Sequence, residues 1–328
     1  MQCIDILSRR HRLGPFLFVH LHEEKFWHSL PIESRKRLCD SMHAQQSVAN
    51  HSLETLNTIR VQLTDRSIPF VVLKGLEIAI RFYGTTGARG YRDIDLLVSE
   101  RDREKTLEYL QTTGWHRLSR IFLSTPISGK YQHAFDYRKG DALLDVHWSL
   151  TRLPGIAINT EEVMSRAKFQ PLGDFSYLVL GKVDELILLL ISAFADIQRG
   201  ALRLQSFVDI AMVGKQLSTA DWEQFHDEAN RCNAIGICQE VIRLINSLLG
   251  LSLWPSHIPK APAKRIFQQD LQLLLPSVGA WRSKLWAMQY LPVSPIYYSA
   301  WWMMSLPARS LASNPRLRRR MPNPKPVS

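Results

Sequence analysis

The stretch Arg92-Asp93-Ile94-Asp95-Leu96-Leu97-Val98 constrains this chain more than any other. Ile94 to Val98 is a short, largely apolar run and reads as a buried strand. Side chains on a strand alternate between its two faces. Asp93 and Asp95 therefore share one face, while Ile94 and Leu96 anchor the other in the core. Two carboxylates about 4 Å apart, at an effective dielectric of about 20, repel by roughly 4 kcal/mol. A hard divalent ion with oxygen ligands, Mg²⁺ above all, removes that repulsion. Standing alone, the pair reads more readily as a solvated strand end, so its surroundings decide.

Those surroundings favour chemistry. Leu144-Asp145-Val146-His147-Trp148 is a second strand, with Asp145 and His147 on one face and Leu144, Val146 and Trp148 on the other. If it lies beside the first, Asp145 looks into the same site. Three carboxylates on neighbouring strands can bind metal or orient an acceptor hydroxyl. Upstream, the apolar run from Ile68 ends at Lys74-Gly75, and helical spacing follows as far as Gly84. The free N–H groups and dipole of a helix start favour a phosphate there. Gly75 permits close approach, and Lys74 adds a point charge. Arg89 and Arg92 flank the acidic pair, either to reach phosphate oxygens or to balance the two carboxylates.

The patterning around this centre predicts an α+β fold. Residues 1–66 read as helical. Residues 67–174 form a small mixed α/β core, with strands in Trp115–Leu123, Tyr131–Arg138 and Ala142–Leu150. A helix between Ser99, its cap, and Gly114 joins the acidic strand to these. Residues 175–255 read as a helical domain closed by Gly250, and 256–328 as a basic, aromatic-rich tail with a disordered end.

The net charge of +11 is unevenly placed. From His257 to Ser328 there are eleven Lys/Arg and one Asp, or +10, which leaves about +1 for everything before. The core therefore lacks the continuous basic path that nucleic-acid binding needs. Leu285 to Ala308 carries no charge, but Pro292, Pro295 and Pro307 interrupt it, so no membrane-spanning helix is expected. Trp281, Trp286, Trp301 and Trp302 either pack back on the helical domain or meet an anionic surface. The cluster Arg316, Arg318, Arg319 and Arg320 offers a membrane-peripheral contact in either case. The four cysteines form no CxxC pair, which argues against zinc and points to a reducing, cytoplasmic setting. His20, His22 and His28 with Glu23 and Glu24 match no metal spacing and read as a solvated helix face.

Leu73-Lys74-Gly75, a helix ending at Tyr83-Gly84, the run Gly87 to Val98 and the later Asp145-Val146-His147-Trp148 occur in that order. Together they resemble the uncharacterised nucleotidyltransferase family of the DNA polymerase beta-like superfamily. The resemblance covers about residues 68–150, and extends more weakly to Arg203–Gly214, which carries Asp209. It implies a small mixed-sheet nucleotidyltransferase core with flanking helices. It implies Mg²⁺ or Mn²⁺ held by Asp93, Asp95 and Asp145. A nucleoside triphosphate, with ATP the expected donor, would lie on the turn at Lys74 and Gly75, beside Arg89 and Arg92. Lys74-Gly75 stands where the wider superfamily has Gly-Ser, and Ile191–Gly200 lacks a histidine that many members carry. The implied reaction moves a nucleoside monophosphate to a hydroxyl of a small molecule, peptide or protein. The alternative is a non-catalytic, antitoxin-like binding protein on the same scaffold.

Overall fold

The computed structural model describes residues 2–118, 133–256, 258 and 291. The chain opens with helices α1 (Gln2–Asp5), α2 (Gly14–Leu21) and α3 (Ile32–Thr64). No Gly or Pro interrupts the 33 residues of α3. Its buried positions Gln45, Ala49, Ser52, Leu56, Ile59 and Leu63 recur every three or four residues, two turns on from Leu38, which makes one buried, mainly apolar stripe.

That stripe covers a mixed seven-stranded sheet in the order β3-β4-β5-β2-β1-β7-β6. The strands are β1 (Phe70–Leu73), β2 (Ile94–Val98), β3 (His116–Arg117), β4 (Ala134–Lys139), β5 (Ala142–His147), β6 (Lys168–Leu172) and β7 (Phe175–Val179). At its centre β2 pairs antiparallel with β1 and parallel with β5. The sheet's back face, Phe70, Val72, Ile94, Leu96, Val98, Leu144 and Val146, packs on Ala49, Leu56, Ile59 and Leu63 of α3. Its front face carries Val71, Leu73 and Leu97, which pack on Leu150, Val163, Leu180 and Leu188.

Helix α4 (Gly75–Phe82) follows β1, and α5 (Arg103–Thr112) follows β2. The Ser99 hydroxyl accepts from the Asp102 N–H at 3.1 Å and so caps the 3₁₀ turn Glu100–Asp102 that leads into α5. After α6 (Thr160–Ser165) come α7 (Lys182–Gln198), α8 (Leu204–Gly214), α9 (Thr219–Arg231) and α10 (Ile235–Leu249). Helix α7 is buried nearly all round and forms the axis on which Phe207, Ile210, Phe225, Val241 and Ile245 pack. Gly250 closes α10 in the left-handed conformation (φ 64°), as its position predicts.

The all-helical reading from residue 175 needs one correction. Phe175–Val179 is β7, which pairs with β1 and β6. Its alternation is hard to see because Leu178, like Tyr177 and Val179, is apolar. Of the strand expected over 115–123, His116–Arg117 is observed, and residues 119–123 fall outside the described residues, as does most of the basic aromatic tail. Among the described residues no helix is long and apolar enough to cross a membrane.

Candidate active site

The β2–β5 register sets Ile94 beside Leu144, Asp95 beside Asp145 and Leu97 beside His147. Alternation sends Ile94 and Leu144 into the back core, and Asp95, Asp145 and His147 to the front. One ligand atom from each of Asp95, Asp145 and His147 lies within 4.8 Å of the others. His147 Nε2 meets Asp95 Oδ1 at 2.9 Å. From the other side β4 sets Asp136 opposite Asp145.

Burial pushes Asp145 up, and Asp95, Asp136 and Asp93 add to this, so its carboxyl rises to about 9. Burial also pushes Asp95 up, but the His147 hydrogen bond, with Lys74 and Arg89 nearby, outweighs it and holds this carboxyl below the usual range. Two half-buried carboxylates and a buried imidazole at this spacing are a donor set that fits a divalent cation, with the imidazole admitting Mn²⁺ alongside Mg²⁺.

Asp93 stands just before β2, outside the tight trio but within its field. Burial, then Asp95, raises its carboxyl. Lys74 and Gly75 sit beside it. A Cβ on Gly75 would lie 3.3 Å from the Asp93 carbonyl oxygen. Both residues hold positive φ, 43° at Lys74 and 37° at Gly75. For lysine that backbone is strained. The turn bends sharply over the acidic pair and leads straight into α4.

The two arginines lie elsewhere. Arg89 donates from Nε and Nη2 to both oxygens of Asp209 on α8, at 2.9 and 2.7 Å, and from Nη1 to the Gly75 carbonyl at 3.1 Å. The Tyr83 hydroxyl also donates to Asp209, at 2.6 Å. Arg89 thus acts as a strut: a buried Asp209 demands a partner, and the guanidinium fork fits it. Arg92 turns to the back of the sheet, where it lines a cavity of about 300 Å³ with Ser47, His51, Ser52 and Thr55 of α3. Of the seven residues singled out from sequence, Asp93, Asp95, Asp145, Lys74 and Gly75 gather at one site; Arg89 braces it and Arg92 faces away.

His147 and Asp136 escaped selection. The signal for His147 was present, since it shares a strand face with Asp145. Asp136 could be read from its flanks, because Phe135 and Tyr137 enter the core and leave it on the site's face.

The sequence profile of the uncharacterised nucleotidyltransferases matches residues 1–250. The chain belongs to this nucleotidyltransferase family. Comparison with curated proteins gives no match. Among solved structures the fold is similar to the antibiotic-resistance factor ANT(2'')-Ia at 13% identity and TM-score 0.40, over 56% of this chain and 92% of that one. The lincosamide antibiotic adenylyltransferase LnuA is similar at 15% identity and TM-score 0.34, over 50% and 97%. An antigenic nucleotidyltransferase-like protein from Paracoccidioides brasiliensis is similar at 11% identity and TM-score 0.31, over 62% and 93%.

Proposed function

We propose that the protein is a metal-dependent nucleotidyltransferase that moves a nucleoside monophosphate from a triphosphate, ATP in the first instance, to a hydroxyl of a small molecule, peptide or protein. The observation that carries this reading is the convergence of Asp95, Asp145 and His147 beneath the Lys74-Gly75 turn, with Asp93 alongside. Asp95 and Asp145, with His147 or Asp93, would hold Mg²⁺ or Mn²⁺. A divalent ion in that position neutralises charge on the phosphoryl group being transferred. The remaining work belongs to the protein. The Lys74 ammonium and the first N–H groups of α4 face the polyphosphate. With a cation bound, Asp145 would be held as the carboxylate, placed to orient the acceptor hydroxyl and take its proton. The hydroxyl oxygen bonds to the α-phosphorus, its proton passes to Asp145, and the bond to pyrophosphate breaks.

The four free cysteines support a reducing, cytoplasmic setting. The set of carboxylates favours an enzyme over a binding protein, which would gain nothing from their mutual repulsion. The test is incubation with each labelled triphosphate and Mg²⁺ or Mn²⁺, following pyrophosphate release and label on the protein or on extract components. Asp95→Ala should abolish release. Asp145→Asn should keep triphosphate binding, lose turnover by about 100-fold or more, and melt no lower than the parent in metal-free buffer. Full activity in either variant would overturn the assignment.

A further inference from the structure

We infer that Arg12 and Arg203, contributed by segments remote from the acidic strands, grip the polyphosphate of the donor; this rests on the nucleotidyltransferase reading above. Three stretches of chain meet at Gly90. His11 is buried, and its Nδ1 accepts the Leu204 N–H at 3.2 Å, which fixes the residue before Arg12 against the start of α8. Gln205 Nε2 donates to the Gly90 carbonyl at 2.7 Å. A Cβ on Gly90 would lie 3.0 Å from the Arg12 carbonyl oxygen and 3.3 Å from the Arg12 Cβ. Arg12, Arg203 and the loop that delivers Asp93 are therefore held at one junction.

The charges at this junction do not balance. Arg203, Arg92 and Arg89 all act on Arg12, and Asp93 is the carboxylate set against them. The charge of Arg89 is already matched by Asp209. Among the described residues, neither Arg12 nor Arg203 forms a salt bridge or side-chain hydrogen bond. Burial, then Arg203 and Arg92, pull the Arg12 guanidinium down to about 10. Arg12 also holds φ 56°, a backbone that suits glycine or asparagine better than arginine. An arginine kept there against that preference, among like charges, points to its side chain as the reason. A polyphosphate matches both demands: it carries several negative charges, and its oxygens accept the planar guanidinium fork.

Calorimetric titration of the full chain tests this, with a non-hydrolysable triphosphate analogue and Mg²⁺, inorganic tripolyphosphate, and a nucleoside monophosphate as separate probes. Arg12→Asn suits the left-handed backbone, Arg12→Lys keeps the charge, and Arg203→Gln tests the partner independently should Arg12→Asn fail to fold. Arg231→Gln, on the surface against Glu162 and Glu228, is the control. Arg12→Asn and Arg203→Gln should weaken triphosphate and tripolyphosphate binding by about tenfold or more and leave the monophosphate within about twofold. Arg12→Lys should recover part of the loss. If the parent binds triphosphate and both variants bind it equally well, the inference falls and the nucleotidyltransferase reading stands. If the parent binds neither triphosphate nor tripolyphosphate, both fall.

Discussion

Arg89 is held by a partner that its sequence neighbourhood does not disclose. Its position in a basic, Gly-rich loop beside two aspartates suggests phosphate, yet its fork closes on Asp209, 120 residues away. No local pattern encodes that distance. Asp93, Asp95 and Asp145 were legible because alternation on a strand is a local rule, as was Lys74-Gly75 because a strand-to-helix turn has a local signature. Arg12 and Arg203 were not, since neither lies near the acidic motif in sequence. The Arg89–Asp209 pair is almost fully buried, so removing one partner strands the other's charge. Arg89→Ala should cost about 3–5 kcal/mol in urea unfolding, and Arg89→Lys should recover less than half of that, because an ammonium cannot bridge both oxygens. A loss under about 1 kcal/mol would show that the pair is not a strut.

At the scale of elements, the junction of β1 and α4 trades stability for position. Lys74 caps α4 in a conformation that glycine adopts freely (φ 43°, ψ −145°), and its side chain makes no capping bond. Lys74→Gly should raise stability by about 1 kcal/mol while weakening triphosphate binding. Thermal melts with parallel binding titrations would read both, and a variant that loses stability would refute the strain. The strands themselves were largely readable. β2 and β5 are wholly apolar on their back faces, while Asp95, Asp145 and His147 interrupt their front faces, and that contrast survives any uncertainty about their ends. β7 was not readable in the same way, because two apolar residues next to each other at Tyr177-Leu178 blur a period of two.

Taken whole, the molecule buries acid where it can least compensate it. Glu185 on α7 is wholly buried with neither carboxylate oxygen partnered. Burial, then the neighbouring Glu77, pushes its carboxyl well above the usual range. Burial raises Glu77 to about 7 in spite of its ion pair with Arg81. Folded protein thus keeps protons that the unfolded chain releases above about pH 4.5. Stability must therefore fall as pH rises from there, through about 7 for Glu77 and further for Glu185. Glu185→Gln should stabilise the protein by about 2 kcal/mol at pH 8, and by close to nothing at pH 5. Equal melting of the two proteins at pH 8 would show that Glu185 is better solvated than its surroundings indicate.

The parallel pairing of β2 with β5 also orders events in time. Asp95 and Asp145 lie fifty residues apart, and a parallel neighbour cannot be reached by a tight turn. The β4–β5 hairpin closes a short loop and can form early, whereas its docking onto β2 must first close a long one. A chain still emerging during synthesis holds Asp93 and Asp95 long before their partners exist. The Asp95–Asp145–His147 cluster is thus a late product of folding, and any ion it binds would report that the central sheet is complete.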